Sequence, residues 1–577
     1  MIYKTPKFDQ ALDAIFKNLV PHERVCLECN KKFKMEAEDI NFYKMFRVPP
    51  PTRCPKCRQT RRFGLIMRMP KFFKRPCAAP GHNENIVTVF PADSPHKVYD
   101  TNYWNSDSWE ATSYSRDYDS NRKFFEQFKD LFFDVPHLPL DRDVTAVNSE
   151  YTLGGRHGKN NYYCGGPYKS EDCSFGTEVR FSKNCVDCSD TWYSEFCYEC
   201  AGSDHCNRCV FVVESSQCID SAFLYDCKNC INCFLSSNLR NKSFVFENKQ
   251  LSKEEYQKEI SRLNLGDRNI FKDLTHRFGS ILNGALHRSV MLTNATNCVG
   301  DMLTNCNNCF WSFDGTEGDN FRFVETFDVV KDSMDSSYTP ESSRLYESIL
   351  GVSSNNILFS VYIRDSLNME YSSECLNCHD CFGCVGLKNK KFHILNKSYS
   401  ENDYWKSVDE IKSKMFNDSE YGELFPLSFG LFPYQVSRGQ KFYPLTEKEA
   451  TQKGIPWYPE KDPQVPDGMT LRDVKDIPSN IKEVDESILN AAVRCEVTGK
   501  PFRITAEEFK FYKYMNLPIP TRHPWQRIME RGVFGHPNDL FPFVCQKCGE
   551  KSFSIYDEEK QKQLKIFCEK CYLKEIV

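Results

Sequence analysis

The 577-residue sequence has no apolar run long enough to span a bilayer, and its opening MIYKTPKFDQALDAIF has no apolar core ahead of a cleavage site. Both absences lead to the expectation of a cytoplasmic protein with no membrane partner. A formal charge of −4 and an isoelectric point near 6.4 remove any global attraction to polyanions, so a nucleic-acid surface would have to be a local patch. Histidine is scarce, twelve in all, with none in a ligand-spaced pair. No Ser/His/Asp or Cys/His constellation stands out, and no carboxylate pair recurs at a fixed spacing. GGRHG at 154–158 lacks the lysine and hydroxyl of a phosphate loop. These gaps weigh against an enzyme and leave no small-molecule substrate evident.

What is abundant is cysteine, 29 residues. In a reducing compartment such clusters usually mean metal. Cys26-x2-Cys29 is followed after 24 residues by Cys54-x2-Cys57, and Cys545-x2-Cys548 after 19 residues by Cys568-x2-Cys571. Two CxxC turns each present two thiolates, and four thiolates close a tetrahedral zinc site with no open position. About two structural zinc ions are expected from these eight cysteines.

Around the first ribbon runs RCPKCRQTRRFGLIMRMPKFFKR, with Arg53, Lys56, Arg58, Arg61, Arg62, Arg68, Lys71, Lys74 and Arg75 and no acid. Phe63, Phe72 and Phe73 are interleaved. That mixture suits phosphate contacts with base stacking, so RNA, DNA or a nucleoprotein complex is the expected partner; an acidic protein is the other. A shift of 469 residues lays the first ribbon on residues 494–527 without a gap, but Cys29, Cys54 and Cys57 become Thr498, His523 and Gln526. That copy keeps a scaffold and loses the closed site. Cys77 with His82 is a further pair without partners.

Between Cys164 and Cys233 lie twelve cysteines whose spacings are all multiples of three, and CxxC recurs at 185, 206 and 227, a 21-residue interval. The other positions of that phase are mostly small or modestly apolar. Neither helix nor strand periodicity predicts this, whereas a narrow solenoid with every third residue inward does. A shift of 148 residues lays 227–256 on 375–404, so ECLNCHDCFGC, which looks like a ferredoxin run, is a coil of a second half. Its fourth cysteine, Cys384, matches Ser236. A packed thiol ladder is the reading adopted; zinc between coils, iron–sulfur and disulfides are the alternatives. Each half closes with a polar hairpin and a helix start at Ser252-x-x-Glu255 or Ser400-x-x-Asp403.

The expected fold is therefore mixed and mainly β: zinc ribbons at both ends flank a duplicated cysteine-rich solenoid with 21-residue coils, plus capping helices. The boundaries read as a ribbon with its basic extension over 1–76, an aromatic-rich α+β segment over 77–160, solenoid halves over 161–265 and 266–430, a tail and linker over 431–488, and the degenerate copy with the last ribbon over 489–577. A non-enzymatic zinc-binding scaffold is the expected function. Metal storage or redox work by the solenoid thiols, and an enzyme using the solenoid groove, are the alternatives.

FYKMFRVPPPTRCPKCRQTRR, KVYDTNYWNSDSWEATSYSRDYDSNRKFFEQF, GCVGLKNKKFHILNKSYS and FCEKCYLKEIV together resemble a family of uncharacterised cysteine-rich zinc-ribbon proteins of candidate-phyla (Patescibacteria-type) bacteria. The resemblance covers nearly the whole chain. It implies zinc ribbons at the ends and brings no activity with it.

Overall fold

A computed structural model describes residues 4–67, 70–459 and 463–576. It is a mixed α/β protein with many strands and, among the described residues, fourteen α-helices. Two long sheets form its centre, one of eleven strands from Thr152–Leu153 to Lys249–Gln250, the other of nine from Leu292–Thr293 to Lys397–Ser398.

Pairing inside both sheets is parallel and, apart from an eleven-residue step from Leu292 to Leu303, advances by twelve residues: Thr177 pairs with Ser189, Ser189 with Ala201, Ala201 with Val213, and in the second sheet Leu367 with His379 and His379 with Lys391. The expected 21-residue coil is thus corrected to a step of twelve. Four triplets make twelve, and the local backbone explains why. In Lys183-Asn184-Cys185 and Val186-Asp187-Cys188 the middle residue is left-handed, with φ of 51° and 55°, and the third is buried. The same conformation recurs at nearly every third residue through both sheets. A left-handed residue turns the chain, and Asn, Asp and Gly tolerate it best. Asn side chains then hydrogen-bond their counterparts twelve residues on, as Asn160 does to Asp172 (2.9 Å), Asn308 to Asn320 (3.0 Å) and Asn377 to Asn389 (2.7 Å).

The inward column is filled by cysteine, serine and small apolar residues. Cys375, Cys378, Cys381 and Cys384 are buried, and none is disulfide-bonded. Their thiols donate to main-chain carbonyls, Cys378 to Leu376 (3.3 Å) and Leu387 (3.4 Å), Cys384 to Phe382 (3.5 Å) and His393 (3.4 Å). Burial pushes the Cys375 thiol well above its ordinary pKa. Hydrogen bonds from its neighbours Cys375 and Cys381 pull Cys378 the other way, to about 4.

Each sheet ends as expected in an antiparallel hairpin, Phe246 opposite Lys249 and Ile394 opposite Lys397. The helices that follow, Lys253–Ser261 and Glu401–Asn417, start at Ser252 and Ser400, whose hydroxyls accept from the Glu255 and Asp403 amides. The helix Phe124–Asp134 lays Phe124 against Tyr371 and Phe382 of the second sheet, with ring centroids 5.6 and 5.2 Å apart.

Candidate metal centres

Strand His22–Val25, Cys26, Cys29 and strand Lys32–Met35 form a hairpin whose tip is a tight turn. The Cys26 amide donates to Lys31 O, and the Asn30 amide donates back to Cys26 O, both at 2.9 Å. Asn30 completes the turn with φ 57°. Cys54 then caps the helix Pro55–Gly64, whose proline at the first position suits a helix start. This brings Cys26, Cys29, Cys54 and Cys57 together, with all four sulfurs within 4.8 Å of one another and Cys29 Sγ 3.8 Å from Cys54 Sγ.

The far end repeats this with Cys545, Cys548, Cys568 and Cys571, where Cys548 Sγ is 3.8 Å from Cys568 Sγ. Metal–sulfur bonds of about 2.3 Å in a tetrahedron place sulfurs about 3.8 Å apart, so both donor sets fit a zinc-sized ion. Backbone amides point at the first sulfur of each set, Cys54 N to Cys26 Sγ and Cys568 N to Cys545 Sγ, both at 3.3 Å. Burial opposes the Cys545 thiolate, but the amides of Cys568, Cys548 and Lys547 outweigh it and hold the pKa at about 6. Cys54 is lowered to about 5, chiefly by a hydrogen bond from Cys57.

The degenerate copy keeps this frame without its donors. The Cys495 amide donates to Lys500 O (3.0 Å), Gly499 takes the left-handed position, and the His523 ring nitrogen Nδ1 accepts from the Trp525 amide at 3.1 Å as a helix cap. A further instance of the frame, missed in the sequence, is built on Cys77. Strands Phe73–Pro76 and Asn85–Thr88 form the hairpin, and Gly81 lies four residues after the cysteine with φ 79°, as Asn30, Gly499 and Gly549 do. The Ala78 amide donates to Val98 O, two residues before the helix cap Asp100, as Leu27 does to Thr52 O and Glu496 to Thr521 O. Only one of its four frame positions is a cysteine, which is why CxxC spacing could not reveal it.

The basic strip is placed quite differently from the surface expected. Arg58, Arg61 and Arg62 are buried, as is Phe63. Arg62 pairs with Asp335 (2.9 Å) and Glu325 (3.1 Å), and Arg58 with Asp335 (2.7 Å) and Glu347 (3.4 Å). Arg61 reaches Glu423 (3.3 Å), Arg53 pairs with Glu28 (2.9 Å) and Glu423 (2.8 Å), and exposed Lys56 with Asp539 (3.1 Å). Lys71 lies 5.7 Å from the Trp525 ring, Arg75 donates to Pro91 O (3.2 Å), and Lys74 is exposed. Arg68 lies outside the described residues. The helix turns its guanidinium row inward because acids of the second sheet wait there; composition alone cannot see acids more than 260 residues away.

The degenerate copy makes the same attachment to the first sheet. Arg527 and Arg531, at the positions of Arg58 and Arg62, both pair with Asp187, Arg531 at 2.8 Å, and Arg531 also approaches Glu199 at 3.5 Å. Arg62 donates to Phe323 O and Ser337 Oγ, and Arg531 to Phe175 O and Ser189 Oγ. Phe323, Asp335 and Ser337 stand 148 residues after Phe175, Asp187 and Ser189, whereas Glu325 falls opposite Thr177 and has no counterpart. The attachment is crossed along the chain: the first module docks on the second sheet and the last on the first.

His536 joins the two sheets, with Nδ1 on Asp301 and Nε2 on Glu214 at 3.3 Å. Beside it a cleft of about 130 Å³ lies between the sheets, lined by Asp190, Asp314, Arg438 and Lys441 among others. Burial and the neighbouring Asp314 and Glu178 raise Asp190 to about 6. Among the described residues no helix is long and apolar enough to cross a membrane. No protein-family model matches the chain, and no curated protein matches it.

Proposed function

We propose that this protein is a non-enzymatic scaffold whose terminal modules are zinc ribbons and whose centre is a pair of solenoids with twelve-residue coils. The carrying observation is the pair of four-cysteine sets, each with its sulfurs within 4.8 Å. Four thiolates saturate a zinc ion, so the metal's role there is to fix a fold. The twelve-residue register and the buried, carbonyl-bonded thiols support the solenoid reading and speak against metal storage by the centre. Membership of the cysteine-rich zinc-ribbon group belongs to the same proposal.

The basic strip serves attachment in this reading. Arg58, Arg61 and Arg62 of the strip are paired inside the protein and Lys56 with Asp539, which turns much of its charge away from a nucleic-acid partner. A protein partner fits a scaffold of this kind better.

Elemental analysis of anaerobically purified protein tests the proposal. Cys29→Ser and Cys548→Ser should each remove one zinc ion, and the protein should be colourless and free of iron. Iron with visible absorbance, or metal content unchanged by both variants, would overturn it.

A further inference from the structure

The frame built on Cys77 is the one degenerate ribbon that gathers new donors. Cys77 Sγ, a ring nitrogen of His82 and a Glu84 oxygen all lie within 4.8 Å of one another. Both new donors come from the hairpin tip, which is two residues longer here: the Cys77 amide closes on Glu84 O (3.0 Å), whereas Cys26 closes on Lys31 O and Cys495 on Lys500 O. The extra length carries His82 and Glu84 back over the sulfur.

The sulfur is prepared as those of the four-cysteine sets are. Asp100 N donates to Cys77 Sγ at 3.2 Å and Ala79 N at 3.5 Å, matching Cys54 N on Cys26 Sγ and Cys568 N on Cys545 Sγ at 3.3 Å. His82 Nδ1 is 2.7 Å from Glu84 Oε1, and the ring lies edge-on to Tyr103 with centroids 4.9 Å apart, which fixes its orientation.

We propose that Cys77, His82 and Glu84 bind a third divalent ion of the zinc class. One thiolate, one imidazole and one carboxylate are the mixed donors that zinc and cobalt accept, and three protein ligands leave a position open to water. His82 is half-buried and Glu84 exposed, so that position faces solvent. The terminal ions are saturated; this one can exchange its fourth ligand.

Cobalt(II) titration of the metal-free full chain, beside elemental analysis of the zinc-loaded protein, tests the assignment. Cys77→Ser should lower the metal content by one ion while the variants of the four-cysteine sets keep this one. His82→Ala and Glu84→Ala change the hairpin tip, leave the core intact, and should weaken the same ion at least tenfold. The cobalt spectrum of the Cys29→Ser/Cys548→Ser protein should show a single-thiolate complex that shifts on adding azide. Unchanged metal content in Cys77→Ser and Glu84→Ala, with both proteins folded by circular dichroism, would overturn the third site and leave the terminal ones standing. Loss of metal only in Cys29→Ser and Cys548→Ser would also overturn it.

Discussion

Arg62 and Asp335 stand 273 residues apart in the chain and form a buried ion pair at 2.9 Å. Its counterpart is Arg531 with Asp187 at 2.8 Å. One of these arginines follows a complete set of cysteines and the other follows Thr498, His523 and Gln526. Both copies thus keep the attachment, and one of them lacks the four-cysteine set. Joining a ribbon-like module to a sheet is what the two copies have in common.

A buried pair is costly to break from one side, because the remaining charge has neither water nor partner. Arg62→Met should destabilise the protein by about 3–5 kcal/mol, and Asp335→Asn by a similar amount. The double variant should cost less than their sum, since the direct pair is lost only once, while Glu325 and Arg58 each lose one further partner. Denaturant unfolding of the four proteins measures this. Additive losses would mean that the residues do not act as a pair.

The inward thiols should tolerate serine better than bulk. Cys384 is matched by Ser236, whose hydroxyl donates to Phe234 O at 2.9 Å where Cys384 donates to Phe382 O at 3.5 Å. Cys384→Ser should therefore cost about 1 kcal/mol, in the range of one exchanged hydrogen bond. Cys384→Leu overfills a column with no room and should cost about 1–3 kcal/mol. If serine proved the more damaging of the two in thermal unfolding, a ligand role for that sulfur would have to be reconsidered.

The two cysteine sets were fully legible, because CxxC spacing is imposed by the geometry of one ion. The inward phase was legible too, since burial at every third position selects small residues there. The register step was not. CxxC at 185, 206 and 227 repeats every seven triplets, yet pairing closes every four. The better signal was the neighbouring phase, where Asn160 and Asp172, Asn308 and Asn320, and Asn377 and Asn389 stand twelve apart. Arg58 and Arg62 were misread because a row of cations looks alike whether it meets phosphate or buried carboxylate. The Cys77 frame was hidden because its shape is held by amides and a left-handed Gly81, neither of which leaves a cysteine pattern.

Stability should fall as pH rises above neutral, and His536 sets the sign. Burial alone would lower its pKa, but Asp301 and Glu214 hold it well above the ordinary 6.5. A histidine whose pKa is raised by folding stabilises the protein fully below the unfolded value and loses that contribution as pH climbs through the folded one. Glu199 and Glu347, raised to about 8 mainly by burial, act in the same direction from about pH 4.5 upward. Unfolding midpoints measured between pH 6 and 9 should decline, and His536→Gln should flatten the curve. An equally steep decline in that variant would remove His536 from the account.

Chelation should separate the two copies of the module. Cys54 and Cys57 flank the start of the helix Pro55–Gly64, so an ion held there fixes the turn from which Arg58 and Arg62 reach the second sheet. The helix Pro524–Arg531 starts instead at His523, whose ring caps the Trp525 amide, and needs no ion. Zinc contributes on the order of 10 kcal/mol to folding in small modules, more than one helix gains from its ion pairs alone. A strong chelator should therefore raise amide hydrogen exchange in Pro55–Gly64 and in the second-sheet residues around Asp335. Pro524–Arg531 and the residues around Asp187 should stay protected. Equal exchange in both helices would mean that attachment is independent of metal, and that the cysteines of the first module serve something other than the hold on its sheet.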